Sequence, residues 1–205
     1  MKNLFTVVDA VEKYEGNPIY PYTNRGIYYI DNEMYDEAKK DLNKVLQMDA
    51  KNFIALNNLG KISMIFQEYE NAITFFNRSL SINNKVEGAY YNRSFAKTCL
   101  GNLESALLDL DSAIILKKNI PLLYNNRGVL RMNLGFTNEA LQDFDNAIKF
   151  SNSTYCDAFG NRAYIKFLSG NYAAALQDCN SALQLEPENE ALLALKERIK
   201  KSPSN

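Results

Sequence analysis

The sequence predicts an all-α fold built from five consecutive helix–turn–helix units, and three observations carry that expectation. A fixed period of 34 residues runs through most of the 205-residue chain. Within each period, apolar residues recur at helical spacing. No stretch of any length alternates apolar and polar residues as a strand would.

The period is read from four landmarks. Asn-Arg-Gly at 24–26 returns as Asn-Leu-Gly at 58–60, Asn-Arg-Ser at 92–94, Asn-Arg-Gly at 126–128 and Asn-Arg-Ala at 161–163, in steps of 34, 34, 34 and 35 residues. Ala38, Ala72, Ala106, Ala140 and Ala175 keep the same steps. Four places on come Leu42, Phe76, Leu110, Phe144 and Cys179, and three further Val45, Ser79, Ala113, Ala147 and Ala182. Ala140, Leu141, Phe144, Ala147 and Ile148 show the inward face of such a second helix.

These residues resemble the tetratricopeptide-repeat family, whose 34-residue unit carries an aromatic, a Leu-Gly pair, a Tyr, then Ala, Phe, Ala and Pro at fixed places. With the Gly of Asn-Arg-Gly as position eight, the repeats are 19–52, 53–86, 87–120, 121–154 and 156–189, and Tyr155 is an insertion. The resemblance covers about four-fifths of the chain and implies a right-handed α-solenoid, or superhelix. Position seven departs from the family's usual Leu, being Arg in four repeats; position eleven is Tyr only at Tyr29, and the closing Pro occurs only at Pro187.

Each element has a reason in the sequence. Leu4, Val7, Val8 and Val11 have helical spacing, and Gly16-Asn17-Pro18 ends that segment. An amphipathic N-terminal helix is expected over residues 1–18, either capping the array or lying in its own groove, or a neighbour's, as a placeholder ligand. Position eight (Gly26, Gly60, Ser94, Gly128, Ala163) is small because the two helices of a repeat cross closely there. Gly101, Gly135 and Gly170 fall at position fifteen, where the chain turns. Residues 190–205 give a capping helix and a frayed tail, with Leu192, Leu195 and Ile199 on one face and Glu197, Arg198, Lys200 and Lys201 on the other.

Composition bounds the function. A formal net charge of −1 argues against a dedicated nucleic-acid partner, which asks for a basic surface. No run approaches the roughly 20 apolar residues of a membrane-spanning helix, so no membrane partner is expected. Met1 to Val11 lacks the form of a secretory signal. Cys99, Cys156 and Cys179 form no CxxC pair, which disfavours a disulfide framework or metal site and suggests a cytoplasmic setting, where the sequons at Asn77, Asn92 and Asn152 stay unmodified. Histidine is absent, which removes the commonest general base and metal ligand. With no Gly-rich phosphate loop either, no enzymatic activity and no cofactor is expected.

Positions seven and twenty-three vary together. Arg25/Asp41, Arg93/Asp109, Arg127/Asp143 and Arg162/Asp178 are each 16 residues apart, whereas repeat two has Leu59 and Phe75. The expectation is a partly buried ion pair that serves the fold.

The resemblance also implies that the first helices line a concave groove. Positions two, five, six, nine and thirteen share one helical face. Position six is Asn in every repeat: Asn24, Asn58, Asn92, Asn126 and Asn161. A carboxamide both donates and accepts, so such a ladder can hold the backbone of a peptide, or else bridge neighbouring helices. Ile27, Lys61, Phe95, Val129 and Tyr164 at position nine, with Asn57, Tyr91 and Asn125 at position five, add apolar and amide surface. Position five holds no lysine and position nine no asparagine, so the carboxylate clamp of some cochaperones is not expected. The function expected is a scaffold or adaptor that binds an extended or helical segment of a partner protein in the groove. The alternatives are a self-assembling, homo-oligomeric structural subunit joined through the array ends or the N-terminal helix, separable by light scattering across concentration, and a regulatory subunit of an enzyme.

Overall fold

A computed structural model describes residue 16 and residues 18–202. The N-terminal helix expected before Pro18 lies, apart from Gly16, outside those residues. Among the described residues every regular element is a helix: α1 (Ile19–Asp31), α2 (Tyr35–Met48), α3 (Phe53–Ile65), α4 (Tyr69–Ile82), α5 (Glu87–Cys99), α6 (Leu103–Leu116), α7 (Pro121–Asn133), α8 (Thr137–Phe150), α9 (Cys156–Leu168), α10 (Tyr172–Leu185) and α11 (Glu190–Lys200). They form consecutive helical hairpins. The chain divides into two compact units, residues 1–109 and 110–205, with the division inside α6.

Helix starts follow local chemistry. The side chains of Asn52, Asn171 and Asn189 accept hydrogen bonds from the backbone N–H of Ala55, Ala174 and Leu192, capping α3, α10 and α11. Pro121 opens α7, where a missing N–H costs nothing.

The turn inside each hairpin needs one left-handed residue. Gly101, Gly135 and Gly170 supply it with φ of 78°, 83° and 77°. At the equivalent places in the first two repeats the residues are Glu33 and Gln67, at φ 60° and 59°. The turn geometry is thus constant while its glycine is not. The one longer step has its own signature, since Asn152 and Ser153 are both left-handed (φ 52° and 63°) just before α9. The extra residue is absorbed in that loop.

Helix crossings are set by volume. A Cβ added to Gly60 would stand 2.6 Å from Phe76 Cε1, and one on Gly128 2.7 Å from Phe144 Cε1. On Gly26 it would meet Leu42 Cδ2 at 3.1 Å. The close neighbour of position eight is therefore the large residue at position twenty-four. Where position eight gains a side chain, as Ser94 or Ala163, position twenty-four is Leu110 or Cys179 and never phenylalanine. The trade is one-sided, since Gly26 also sits over Leu42: phenylalanine at position twenty-four goes with glycine at position eight, while glycine accepts leucine too.

In the first unit one apolar cluster joins Leu42, Val45, Leu59 and Ile62, and a second joins Phe76, Leu80, Ala89 and Ala96. In the second unit Leu192, Leu195 and Ile199 of α11 are buried, while Glu197, Arg198, Lys200 and Lys201 are exposed.

Candidate protein-interaction surface

Arg–Asp couples join the first helix of a repeat to its second in four of the five repeats. Arg25 donates from Nε and Nη2 to the two carboxylate oxygens of Asp41, at 2.6 and 2.7 Å. Arg93 holds Asp109 in the same fork at 2.8 and 2.5 Å, and Arg162 holds Asp178 at 2.8 and 2.6 Å. Arg127 Nη2 donates to Asp143 Oδ1 at 2.6 Å and its Nε to Oδ2 at 3.0 Å. The carboxylates are nearly dry, down to a side-chain exposure of 1% at Asp143. Repeat two has no such pair: Leu59 is buried, and Phe75 packs against its cluster.

One more position belongs to all four clamps, and two others to the clamps of Arg93, Arg127 and Arg162. An aromatic ring at position four lies under the guanidinium: Tyr22, Tyr90, Tyr124 and Phe159, with Arg Cζ 5.4–5.6 Å from the ring centre. A cation at position eleven donates to the same Asp, from Lys97 at 2.8 Å, Arg131 at 2.7 Å and Lys166 at 2.6 Å. The third Arg nitrogen reaches back to position twenty-five of the preceding repeat, from Arg93 to Asn77, Arg127 to Asp111 and Arg162 to Asp145. The clamp thus ties one repeat to the next as well as closing its own hairpin. Sequence reasoning missed these positions, yet the signal was there, because position four changes to Leu56 in the same repeat that loses its Arg.

The electrostatics agree with the geometry. The hydrogen bond to Asp41 raises the Arg25 pKa against its partial burial. Burial pulls Arg127 and Arg162 down, but Asp143 with Asp111, and Asp178 with Asp145, together outweigh it and leave both guanidinium pKa values raised.

The first-helix residues fall into three groups by exposure. Asn24 and Lys61 are exposed, Phe95 is 49% exposed and Tyr164 38%. Ile27, Tyr91, Asn92, Asn126, Val129 and Asn161 are half-buried. Asn58 is buried and donates to the Ile54 carbonyl of its own helix at 2.9 Å. Asn125 is buried as well and accepts from Asn161 Nδ2 at 3.0 Å, which links α7 to α9. Asn57 Oδ1 is buried with no hydrogen-bond partner. The five asparagines of position six are therefore not equivalent: Asn58 serves its helix and Asn161 a neighbouring one, while Asn24 faces water.

Between α9 and α11 lies a cleft of about 340 Å³, lined in part by Asp157, Gly160, Tyr164, Ala191, Ala194 and Arg198. Cys99 is exposed, and Cys156 and Cys179 are buried, donating to the carbonyls of Ala182 and Leu192 at 3.5 and 3.2 Å. Among the described residues no group of His, Cys, Asp and Glu could hold a metal ion, and no helix is long and apolar enough to cross a membrane.

Comparison with known proteins places these features in context. Family models described as tetratricopeptide repeat match residues 23–86 and 157–189. A TPR repeat-containing protein of Methanocaldococcus jannaschii is 37% identical over 79 residues, 38% of this chain but only 13% of that protein. Among solved structures, YrrB, described as a TPR protein with an unusual peptide-binding site, superposes with a TM-score of 0.79 at 21% identity, over 95% of this chain and 100% of that one. Pseudomonas aeruginosa pilF does so with 0.78 at 18% identity, over 96% and 85%. At these identities the likeness establishes the helical-repeat fold.

Proposed function

We propose, for a chain whose repeats match the tetratricopeptide-repeat family over residues 23–86 and 157–189, that it is a protein-interaction scaffold. It holds an extended or helical segment of a partner protein against its first helices. The observation that carries this reading is a division of labour among residues. The Arg–Asp clamps and the Gly–Phe crossings consume the inner faces of the hairpins. Asn24, Lys61, Phe95 and Tyr164, on the opposite side of the first helices, are left open to solvent. Rigid helices that present aromatic, amide and cationic groups lower the entropy lost on binding. The peptide-binding description of YrrB is in keeping with this use of the fold.

The test is capture of partners from the native cell with the wild-type chain and with Lys61→Ala/Phe95→Ala, circular dichroism confirming that both are folded. The variant is expected to lose a prey that the wild type retains. Identical prey lists would overturn this placement.

A further inference from the structure

The geometry points to the cleft between α9 and α11 as a subsite for an extended, dipolar stretch of a partner, with a basic side chain at Asp157 and an acidic one at Arg198. This rests on the scaffold reading above and names what one part of that surface takes.

Three observations lead there. The cleft is open because Gly160 has no side chain; position five elsewhere is Thr23, Asn57, Tyr91 or Asn125. A Cβ at Gly160 would already stand 3.0 Å from Leu192 Cδ2. The charges at its two ends are unspent. Arg93, Arg127, Arg131 and Arg162 are each bonded to a carboxylate, whereas among the described residues neither Asp157 nor Arg198 is in an ion pair. Both are exposed, and the Arg198 guanidinium is held 5.0 Å above the Phe167 ring.

The dimensions choose the conformation of the occupant. Asp157 and Phe167 are ten residues apart on α9, about 15 Å at the helical rise. A helix with its side chains is about 10–12 Å wide, too bulky for a cleft of about 340 Å³ over that length. An extended chain spans the same distance in roughly four to five residues and turns alternate side chains toward the cleft. Its first, third and fifth residues then face Asp157, the small wall of Gly160, Ala191 and Ala194, and Arg198.

The probe is acetyl-Lys-Ala-Leu-Ala-Glu-amide, titrated into the isotope-labelled full chain and followed by NMR. Controls carry glutamine, lysine or glutamate at both ends. The dipolar peptide is expected to bind at least fivefold more tightly than the glutamine control and to shift α9 and α11 resonances. Arg198→Glu should move the preference to the peptide with lysine at both ends, and Asp157→Lys to the one with glutamate at both ends. Gly160→Asn, which installs the side chain present at Asn57 and Asn125, should abolish the shifts. Equal binding of dipolar and neutral peptides, or a preference that ignores either charge reversal, overturns the subsite. If that happens while the wild type still captures a partner through Phe95, the subsite alone fails. Charge-selective binding without any Phe95-dependent capture supports the subsite and removes the placement proposed above.

Discussion

Two residues carry backbone strain that their counterparts avoid. Glu33 and Gln67 take the left-handed conformation that Gly101, Gly135 and Gly170 take in later repeats. A side chain there costs about 1–2 kcal/mol, and glycine returns roughly 0.5–1 kcal/mol of that through the entropy of the unfolded chain. Gln67→Gly is therefore expected to stabilise the protein by about 0.5–1 kcal/mol in a urea melt, and Gly135→Gln to destabilise it by a similar amount. Cys156 makes a second residue-level case. Burial, followed by the Glu186 carboxylate, pushes its thiol from 9.0 up to about 11. The fold prefers the protonated thiol, so this contribution is whole below pH 9 and lost as pH rises through about 11. The loss amounts to about 2–3 kcal/mol. Denaturant melts of wild type and Cys156→Ala should converge by that amount between pH 8 and pH 11.5.

Pairs of helices are joined by two devices, one of volume and one of charge. Gly128→Ser would drive a side chain into Phe144 and should cost about 1–3 kcal/mol by overpacking. Adding Phe144→Leu recreates the Ser94/Leu110 combination, and a double-mutant cycle should show a favourable coupling of about 1–2 kcal/mol. The charge device behaves likewise. Arg25→Leu strands Asp41, whose side chain is 7% exposed and whose clamp has no second cation, and should cost about 3–5 kcal/mol. Changing Asp41→Phe as well reproduces the Leu59/Phe75 pair and should recover most of it. A double variant less stable than the single one would refute this account. Much of this was legible beforehand: the 34-residue period marked the hairpins, and the joint switch of Leu59 and Phe75 exposed the Arg–Asp partnership. What stayed hidden was the reach of each guanidinium to Asn77, Asp111 or Asp145. A five-donor side chain has bonding capacity left after one carboxylate, and only coordinates show where it is spent.

At the scale of the molecule, stability in a repeat array is a sum over units and the interfaces between neighbours, so the effect of a lost clamp should be local. Arg162→Leu removes the bonds to Asp145 and Asp178 together. Hydrogen exchange should accelerate in α9–α11 and stay unchanged in α1–α4; uniform acceleration would mean that the chain opens as one block. The proposed interaction surface was less legible than the fold. Periodicity placed all five position-six asparagines on one helical face, but burial depends on how neighbouring helices lean. Asn58 is consequently enclosed and Asn24 exposed. The trade between positions eight and twenty-four also bears on how such a chain can be recombined. Each hairpin is a matched set, so a genetic crossover inside one would join the first helix of the fourth repeat to the second helix of the fifth, leaving Gly128 over Cys179 and a hole. The opposite splice would force Ala163 against Phe144. Crossovers in the loops between hairpins keep every match of positions eight and twenty-four, and chimeras cut there should fold where those cut within a hairpin do not.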